Sequence, residues 1–566
     1  MMASDKTTYS QFACIGTGFS GIALGCTIKR WYGITDVRFF EKNSDLGGTW
    51  FVNQYPGCAC DVPSLLYSFS FAPNPEWSKV LPSNDELWRY LNKVCDQYGL
   101  RDKMTFNSTV ERCVWMEQTA RWRMTVRDKA SNTTFTHECQ FLFSGSGLLL
   151  HPRKADLPGI ESFKGPVFHA SQWRHDVDLT EKKVVLVGNG CSASQVVPAI
   201  KDQVKHVTQF ARSKHWIVPD VKVPNTKLFQ WLFMHIPGAL AFGRFATFLF
   251  MENSSRAFYR TKASDAYRRQ VTAEAEQFIK ENAPEKYHDM LIPDFELGCK
   301  RRIFDPGYLA SLHSDRVTLR DDPIQEVTPN GIRSKGGFTE ADIIVLATGF
   351  ETNSFCTGID IVGRGGVTAE EHWKSLGGPG AYNSTNISGF PNFFLLLGPN
   401  TATGHTSTVM AIENGVNYSL RLIEPILRRK ATAIDVKLDA EKAYTSQIQT
   451  ALQYTVWLSG CNNWYNRTQD GTVRNAMTYP FSQAYFWYRC LFPVYQDFNY
   501  DVAKNPPRRA VWSRAIKYLI YAAASLSSLS WMVSGTTNQW DLTRVMPSLR
   551  DRVGGFGNGL MAHVKL

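Results

Sequence analysis

Residues 12–25 read FACIGTGFSGIALG. Gly16, Gly18 and Gly21 stand in a Gly-x-Gly-x-x-Gly spacing between an apolar strand pattern and an apolar helix pattern. Each glycine has its own task. Gly16 allows the tight turn, Gly18 lets a pyrophosphate come up against the backbone, and Gly21 lets the helix close onto the strand with its N-terminal amides facing the anion. A glycine turn alone is weak evidence, so its context decides. The following strand, VRFFEK, ends in Glu41, where a carboxylate can accept hydrogen bonds from both hydroxyls of a ribose.

The same unit recurs. VVLVGNGCSASQVVP places Gly188, Gly190 and Ala193 in the three roles, with Ser194 beside them. Its partner strand, HVTQFARSK, ends in Arg212, Ser213 and Lys214 rather than an acid. A carboxylate there would repel an adenosine 2′-phosphate, whereas a guanidinium can clamp it. The second cofactor is therefore expected to be NADPH. Between the units VERCVWM, RWRMTVRD and TTFTHECQFLFSG alternate as a β-meander, and EADIIVLATGF is a buried strand ending in glycine. These patterns predict an α/β protein with two Rossmann-like dinucleotide-binding domains, one nested in the other. The expected division is 1–150 and 341–500 for an FAD-binding domain and 151–340 for an NADPH-binding domain, with a helical insertion near 220–295. Residues 501–566 form a C-terminal extension.

Two such folds, the first with a ribose acid and the second with an arginine, are the plan of enzymes that pass a hydride from NADPH to a flavin. Disulfide reductases hand it on to a Cys-x-x-x-x-Cys pair, but WFVNQYPGCACDVPSLLYSFSF at 50–71 has none. Oxygen is left as the acceptor.

Residues 163–173, FKGPVFHASQW, give Phe163, Gly165, His169 and Trp173 in a Phe-x-Gly-x-x-x-His-x-x-x-Trp spacing. This resembles the fingerprint of type I Baeyer–Villiger monooxygenases, although Arg174 stands where the family usually has Pro or Asp. Trp173 favours this branch over the related enzymes that oxygenate nitrogen and sulfur. GGTW at 47–50, YPGCACDVPS at 55–64, GCKRR at 298–302, ATGF at 347–350, PNFFLLLGPN at 391–400 and NNWY at 462–465 agree, and the likeness looks closest to fungal secondary-metabolite members.

The resemblance implies a monooxygenase that uses FAD, NADPH and molecular oxygen. A flavin C4a-peroxide would insert one oxygen atom beside a ketone, giving an ester or lactone. It implies that Arg301 is the active-site cation, with Lys300 and Arg302 as its neighbours, and that Asp61 is the carboxylate orienting it. Lys300 matches a 2′-phosphate contact beside Arg212 and Ser213, and Trp464 an aromatic on the nicotinamide ribose. Thr49, Trp50, Tyr67 and Val110 match FAD-contacting positions. His169 and Trp173 shape the linker between domains rather than transfer protons. Hydroxylation, epoxidation or heteroatom oxidation by the same cofactors is the alternative, and a nucleotide-binding protein without turnover is a more distant one.

Composition sets outer limits. The chain of 566 residues is long enough for two or three domains. The net charge of +11 comes without any RNA- or DNA-binding motif, zinc-finger spacing or long basic run, which argues against nucleic acid and for phosphate-bearing cofactors or an anionic membrane surface. No metal-ligand cluster or nucleophile–base triad is legible. Twelve scattered cysteines without a Cys-x-x-Cys pair read as reduced thiols of a cytoplasmic protein, and the N-terminus shows no secretory pattern.

Two apolar stretches fall outside the motifs. KLFQWLFMHIPGALAFGRFATFLFM at 227–251 is aromatic-rich and broken by Pro237, Gly238 and Arg244. It reads as a helical pair packed on the NADPH domain, or else as an apolar access route for a lipophilic substrate. YLIYAAASLSSLSWMV at 518–533 follows a basic stretch, is dotted with serines and is shorter than the ~20 apolar residues of a usual spanning helix. It reads equally as an interfacial or marginal membrane anchor or as a docked tail helix.

Overall fold

The computed structural model describes residues 7–503, apart from 150, 222–225, 353–354, 357, 462 and 470–471. The stretch at 518–533 and the whole expected C-terminal extension beyond 503 lie outside the described residues. The first glycine turn joins β1 (Thr8–Ile15) to α1 (Phe19–Tyr32), and β2 (Val37–Phe40) returns parallel to β1. Helix α1 begins at Gly18 with no side-chain cap and no acid in its first turn, and it ends at Gly33 in the left-handed conformation. Its first amides are thus left for an external acceptor.

The larger sheet continues through β3 (Met104–Thr105), β4 (Ser108–Met116), β5 (Arg121–Asp128) and β6 (Thr133–Ser144). The expected meander is there: β4, β5 and β6 pair antiparallel, and β6 then lies parallel to β1. The second sheet is wholly parallel. Its strands are β7 (Val167–His169), β8 (Lys183–Val187), β9 (His206–Phe210), β10 (Val317–Arg320) and β11 (Ile343–Leu346), in the order β10-β9-β8-β11-β7. Between β8 and β9 runs α2 (Cys191–Ile200), again with a bare glycine N-cap. The chain then returns to the first sheet: β12 (Asp360–Val362) pairs with β4 and β13 (Phe393–Leu395) with β6.

Phenylalanines on adjacent strands hold the larger sheet together. Phe12 lies 4.9 Å from Phe141, and Phe143 stacks on Phe394 at the same spacing. Gly165 marks a close crossing in the second sheet, since a Cβ there would sit 2.1 Å from the Asp342 carbonyl oxygen.

His137 on β6 is buried, with the Ser10 and Thr8 hydroxyls 2.9 and 2.8 Å from its two ring nitrogens. Burial, reinforced by repulsion from Arg38, pushes its pKa down to about 4. The unfolded chain takes up that proton near pH ~6.5, so the native state binds fewer protons below it. This contribution is complete above pH ~6.5 and is lost as the pH falls through 4; it amounts to about 3 kcal/mol at most. His215, also held near 4, acts in the same sense, and Asp435, raised to about 6 by burial, acts in the opposite one. Melting curves of His137→Gln and the parent between pH 7 and 4 should therefore converge on acidification. Parallel curves would remove His137 as a source of the slope.

Helices α3 (Thr226–His235) and α4 (Ala239–Asn253) form the aromatic-rich insertion. Their polar side chains reach the segment that follows the first glycine unit, and Met251 at the end of α4 shares a pocket with Arg301, Arg302 and Phe304. The Arg244 guanidinium donates to the carbonyls of Leu65 and Ser68 and to the Ser68 hydroxyl, and Gln230 donates to the Glu76 and Trp77 carbonyls. Those open backbone acceptors belong to the segment after the first glycine unit, and they draw the insertion there. The outer face stays apolar: Phe242 is 72 % exposed and Phe250 71 %. Among the described residues no helix is long and apolar enough to cross a membrane.

The expectation of reduced thiols fails at one pair. Cys299 and Cys461 form a disulfide across 162 residues, while the other ten cysteines, Cys58 and Cys60 included, are free. Two distant loops meet at that point, which no local spacing reveals.

Candidate active site

The first turn is built for close backbone approach. Gly16 has a φ of 98°, and a Cβ on Gly21 would lie 2.3 Å from the Gly16 carbonyl oxygen, so no other residue fits there. The Gly47 amide donates to the Thr17 carbonyl at 3.1 Å, bringing the GGTW segment over the turn. Gly18 and Gly48 then face each other: a Cβ on Gly48 would come within 3.0 Å of the Gly18 Cα. Side chains would fill this cradle beside the bare N-terminus of α1, which fits the pyrophosphate of FAD.

Glu41 is buried at the end of β2. It accepts from the Thr17 amide and hydroxyl through one oxygen and from the Asn43 amide and side chain through the other. Trp50 and Tyr67 meet edge to face at 5.6 Å, Thr49 is exposed, and Val110 is buried at a bulge in β4.

At the second turn, Gly188 has a φ of 133°, and a Cβ there would sit 2.3 Å from the Ala347 carbonyl oxygen. The space over Gly190 is open, with no atom within 4 Å of a built Cβ. Ala193 and Ser194 are buried inside α2, and the Ser194 hydroxyl donates to the Cys191 carbonyl, leaving only backbone for a ligand. Arg212 and Ser213 are exposed at the end of β9. Lys300 lies close enough to Arg212 that burial, with repulsion from that guanidinium, lowers its pKa. Asp294 offsets only part of this, and two neighbouring cations fit the 2′-phosphate of NADPH.

Arg301 and Asp61 form the centre. The Arg301 Nε and one terminal nitrogen donate to the two Asp61 oxygens at 2.5 and 2.7 Å. Burial alone would raise the Asp61 pKa, but the guanidinium overrides it and holds the carboxyl below its usual range. Arg302 makes no such pair; burial and its charged neighbour lower its pKa, and it lies over Phe304. The arginine that Asp61 orients is thus Arg301. Around them a narrow pocket is lined by Val62, Met251, Phe304, Gly404 and His405. A wider open groove at Lys214, Glu276 and Asp289 mixes both signs of charge and brings no such pair together.

Three further residues gather around this pair; the sequence offered only His405, read as a structural hydrogen-bonder, and not Glu252 or Tyr465. His405 Nδ1 faces the Thr403 carbonyl at 2.7 Å and Nε2 faces Glu252 at 2.8 Å, so both nitrogens meet acceptors. Glu252 and the pocket residue Met251 close α4, which links the apolar insertion to the pocket wall. Tyr465 is buried beside Arg301, its phenol pushed up to about 12 by burial, and it packs against the half-exposed Trp464 at 4.5 Å. His169 is away from this group: its Nδ1 meets the Ser171 hydroxyl at 2.8 Å, and its ring lies against Phe350. Trp173 packs edge to face on Phe168.

Residues 9–236 match the family model described as flavin-binding monooxygenase-like. A Baeyer–Villiger monooxygenase of Streptomyces coelicolor is 35% identical over 487 residues, covering 84% of this chain and 90% of the relative. One from Pseudomonas aeruginosa is 33% identical over 502 residues, covering 88% and 92%. Among solved structures, OTEMO in complex with FAD and NADP superposes with a TM-score of 0.75 at 26% identity, over 88% of this chain and all of that one. With relatives at this level along nearly their whole length, the chain belongs to the Baeyer–Villiger monooxygenase family of flavin- and NADPH-dependent enzymes.

Proposed function

We propose that this enzyme converts a lipophilic ketone, O2, NADPH and a proton into an ester or lactone, NADP⁺ and water. The observation that carries this reading is the Arg301–Asp61 pair at the wall of the narrow pocket. FAD, reduced by NADPH, supplies the activation of oxygen. The chain's own residues then have to hold a developing anion and keep water out. A guanidinium suits the first task because it stays charged and presents several donors. Asp61 occupies two of those donors and fixes the fork, and the Tyr465 phenol lies beside the same guanidinium at the pocket.

Gly16, Gly18, Gly21, Glu41, Thr49, Trp50, Tyr67 and the Val110 backbone would hold FAD. Gly188, Gly190, Ala193, the Ser194 backbone, Arg212, Ser213, Lys300 and Trp464 would hold NADPH. His169 and Trp173 would set the linker between two domains, 1–150 with 341–500 and 151–340. The exposed aromatics of α3 and α4, ending at Met251 in the pocket, favour an apolar substrate reaching the site along the insertion. Its origin in secondary metabolism rests on the likeness to fungal members, and contact with a membrane surface rests on the same apolar face and the basic net charge.

Reducing the holoenzyme with NADPH without oxygen, and then mixing it rapidly with oxygen and a panel of ketones, tests the reading. Ester or lactone formed in proportion to NADPH is the expected result. Hydroxylated or heteroatom-oxidised products from substrates carrying both groups would select the alternative chemistry.

A further inference from the structure

The turn carrying Lys300 and Arg301 has no regular element to hold it. It follows Gly298, whose φ is 95°, and leads into the two-residue strand Ile303–Phe304, paired only with Ile217–Val218. The loop carrying Trp464 and Tyr465 is also irregular. The Cys299–Cys461 disulfide joins the two. Cys299 lies two residues before Arg301, a reach of about 7 Å of chain, so its position is passed directly to the guanidinium. Asn463 completes the junction. Its Nδ2 donates to the Cys299 and Trp457 carbonyls at 3.1 and 3.0 Å, and its Oδ1 accepts from the Tyr465 and Asn466 amides.

We propose that Cys299 and Cys461 are positioning residues of the oxygenation site: their disulfide holds the Lys300–Arg301 turn against the Trp464–Tyr465 loop, so the coupling of NADPH oxidation to oxygenation depends on the redox state of this pair. The inference rests on the role proposed for Arg301. Ten free cysteines elsewhere show that the chain uses cysteine mainly as a small core residue; here alone it ties the turn that carries Arg301 to a second loop. The hydrogen bonds of Asn463 can exchange with water when the loops part, whereas the covalent bond cannot. Reduction by a dithiol breaks the Sγ–Sγ bond and gives two thiols, while the reagent leaves as its cyclic disulfide. Oxidised glutathione reverses the step and releases two molecules of glutathione.

The experiment uses the holoenzyme with a ketone it turns over, and it measures NADPH consumed, product and hydrogen peroxide. In the oxidised parent most NADPH should appear as product. After dithiol treatment NADPH oxidation should continue, with product per NADPH falling about tenfold, within the ~10²-fold that a 1 Å misplacement can cost, and hydrogen peroxide accounting for the difference. Treatment with oxidised glutathione should restore coupling. Cys461→Ser should show the low value with or without dithiol. FAD content and melting temperature identify a variant that has failed to fold, in which case the dithiol-treated parent carries the test. Equal coupling in oxidised and reduced parent overturns the proposal, as does a Cys461→Ser enzyme that responds to dithiol like the parent. So does alkylation of both cysteines in the native protein without reductant. Normal coupling in Arg301→Ala would instead overturn the reading of Arg301, and the two failures are read on separate variants.

Discussion

Arg301→Ala is expected to lose ester formation by a factor of about 10² to 10³ or more, the scale of removing one preorganised donor from an oxyanion site, while NADPH still reduces the flavin at a near-parental rate. The split follows from geometry. Arg301 is tied to Asp61 at the pocket, whereas the turns that fit the two cofactors are made of glycine backbone and, for NADPH, of Arg212 and Lys300. Without the guanidinium, Asp61 loses the largest of the effects that offset its burial and keeps only a backbone hydrogen bond and the charge of Arg302. Arg301→Lys should recover little, because one ammonium cannot reproduce the two-pronged fork to Asp61 and still present a charge to the pocket. Rapid-reaction traces of flavin reduction, together with product analysis, read both halves. Unchanged product formation in Arg301→Ala would take the residue out of the chemistry.

Arg212→Ala should raise the KM for NADPH by about 30- to 100-fold, the loss of a charge-assisted hydrogen bond, and leave the KM for NADH nearly unchanged. Only the 2′-phosphate distinguishes the two nucleotides, and Arg212 is one of the two cations held together where that phosphate fits. Removing it also relieves the repulsion on Lys300, which then carries its charge more easily and retains part of the preference. Initial rates with both nucleotides measure the ratio. A parallel rise for NADH would mean that Arg212 supports the fold or the nicotinamide end instead.

What was legible in the sequence was local. Gly16, Gly18, Gly21 and Glu41 lie within one strand–turn–helix–strand unit, and their roles follow from backbone sterics that any chain obeys. Arg212 was legible as the place where an acid is missing. Asp61 and Arg301 stand 240 residues apart, and only the likeness to a family put them together. The meeting of Cys299 with Cys461 and that of His405 with Glu252, 153 residues apart, are products of tertiary packing with no periodicity or spacing to announce them. The apolar insertion was legible as helical, but its bonds through Arg244 to Leu65 and Ser68 were not, because most of the acceptors are backbone carbonyls and carry no residue-type mark.

The interleaving of the two sheets has a bearing on synthesis. The Trp122 indole donates to the Pro391 carbonyl 269 residues further on, and β13 completes the pairing of β6. On the ribosome, the parallel sheet from β7 to β11 has all its strands before the older, larger sheet receives its last two. The first half of the flavin cradle must therefore wait, open at one edge, while a second fold assembles beside it. Contacts of such long sequence separation form late and leave apolar strand edges exposed meanwhile. A chain released before Leu395 would carry the complete parallel sheet but a larger sheet without its closing strand, so the unit around Gly16–Gly21 gains its full support only in the final third of translation.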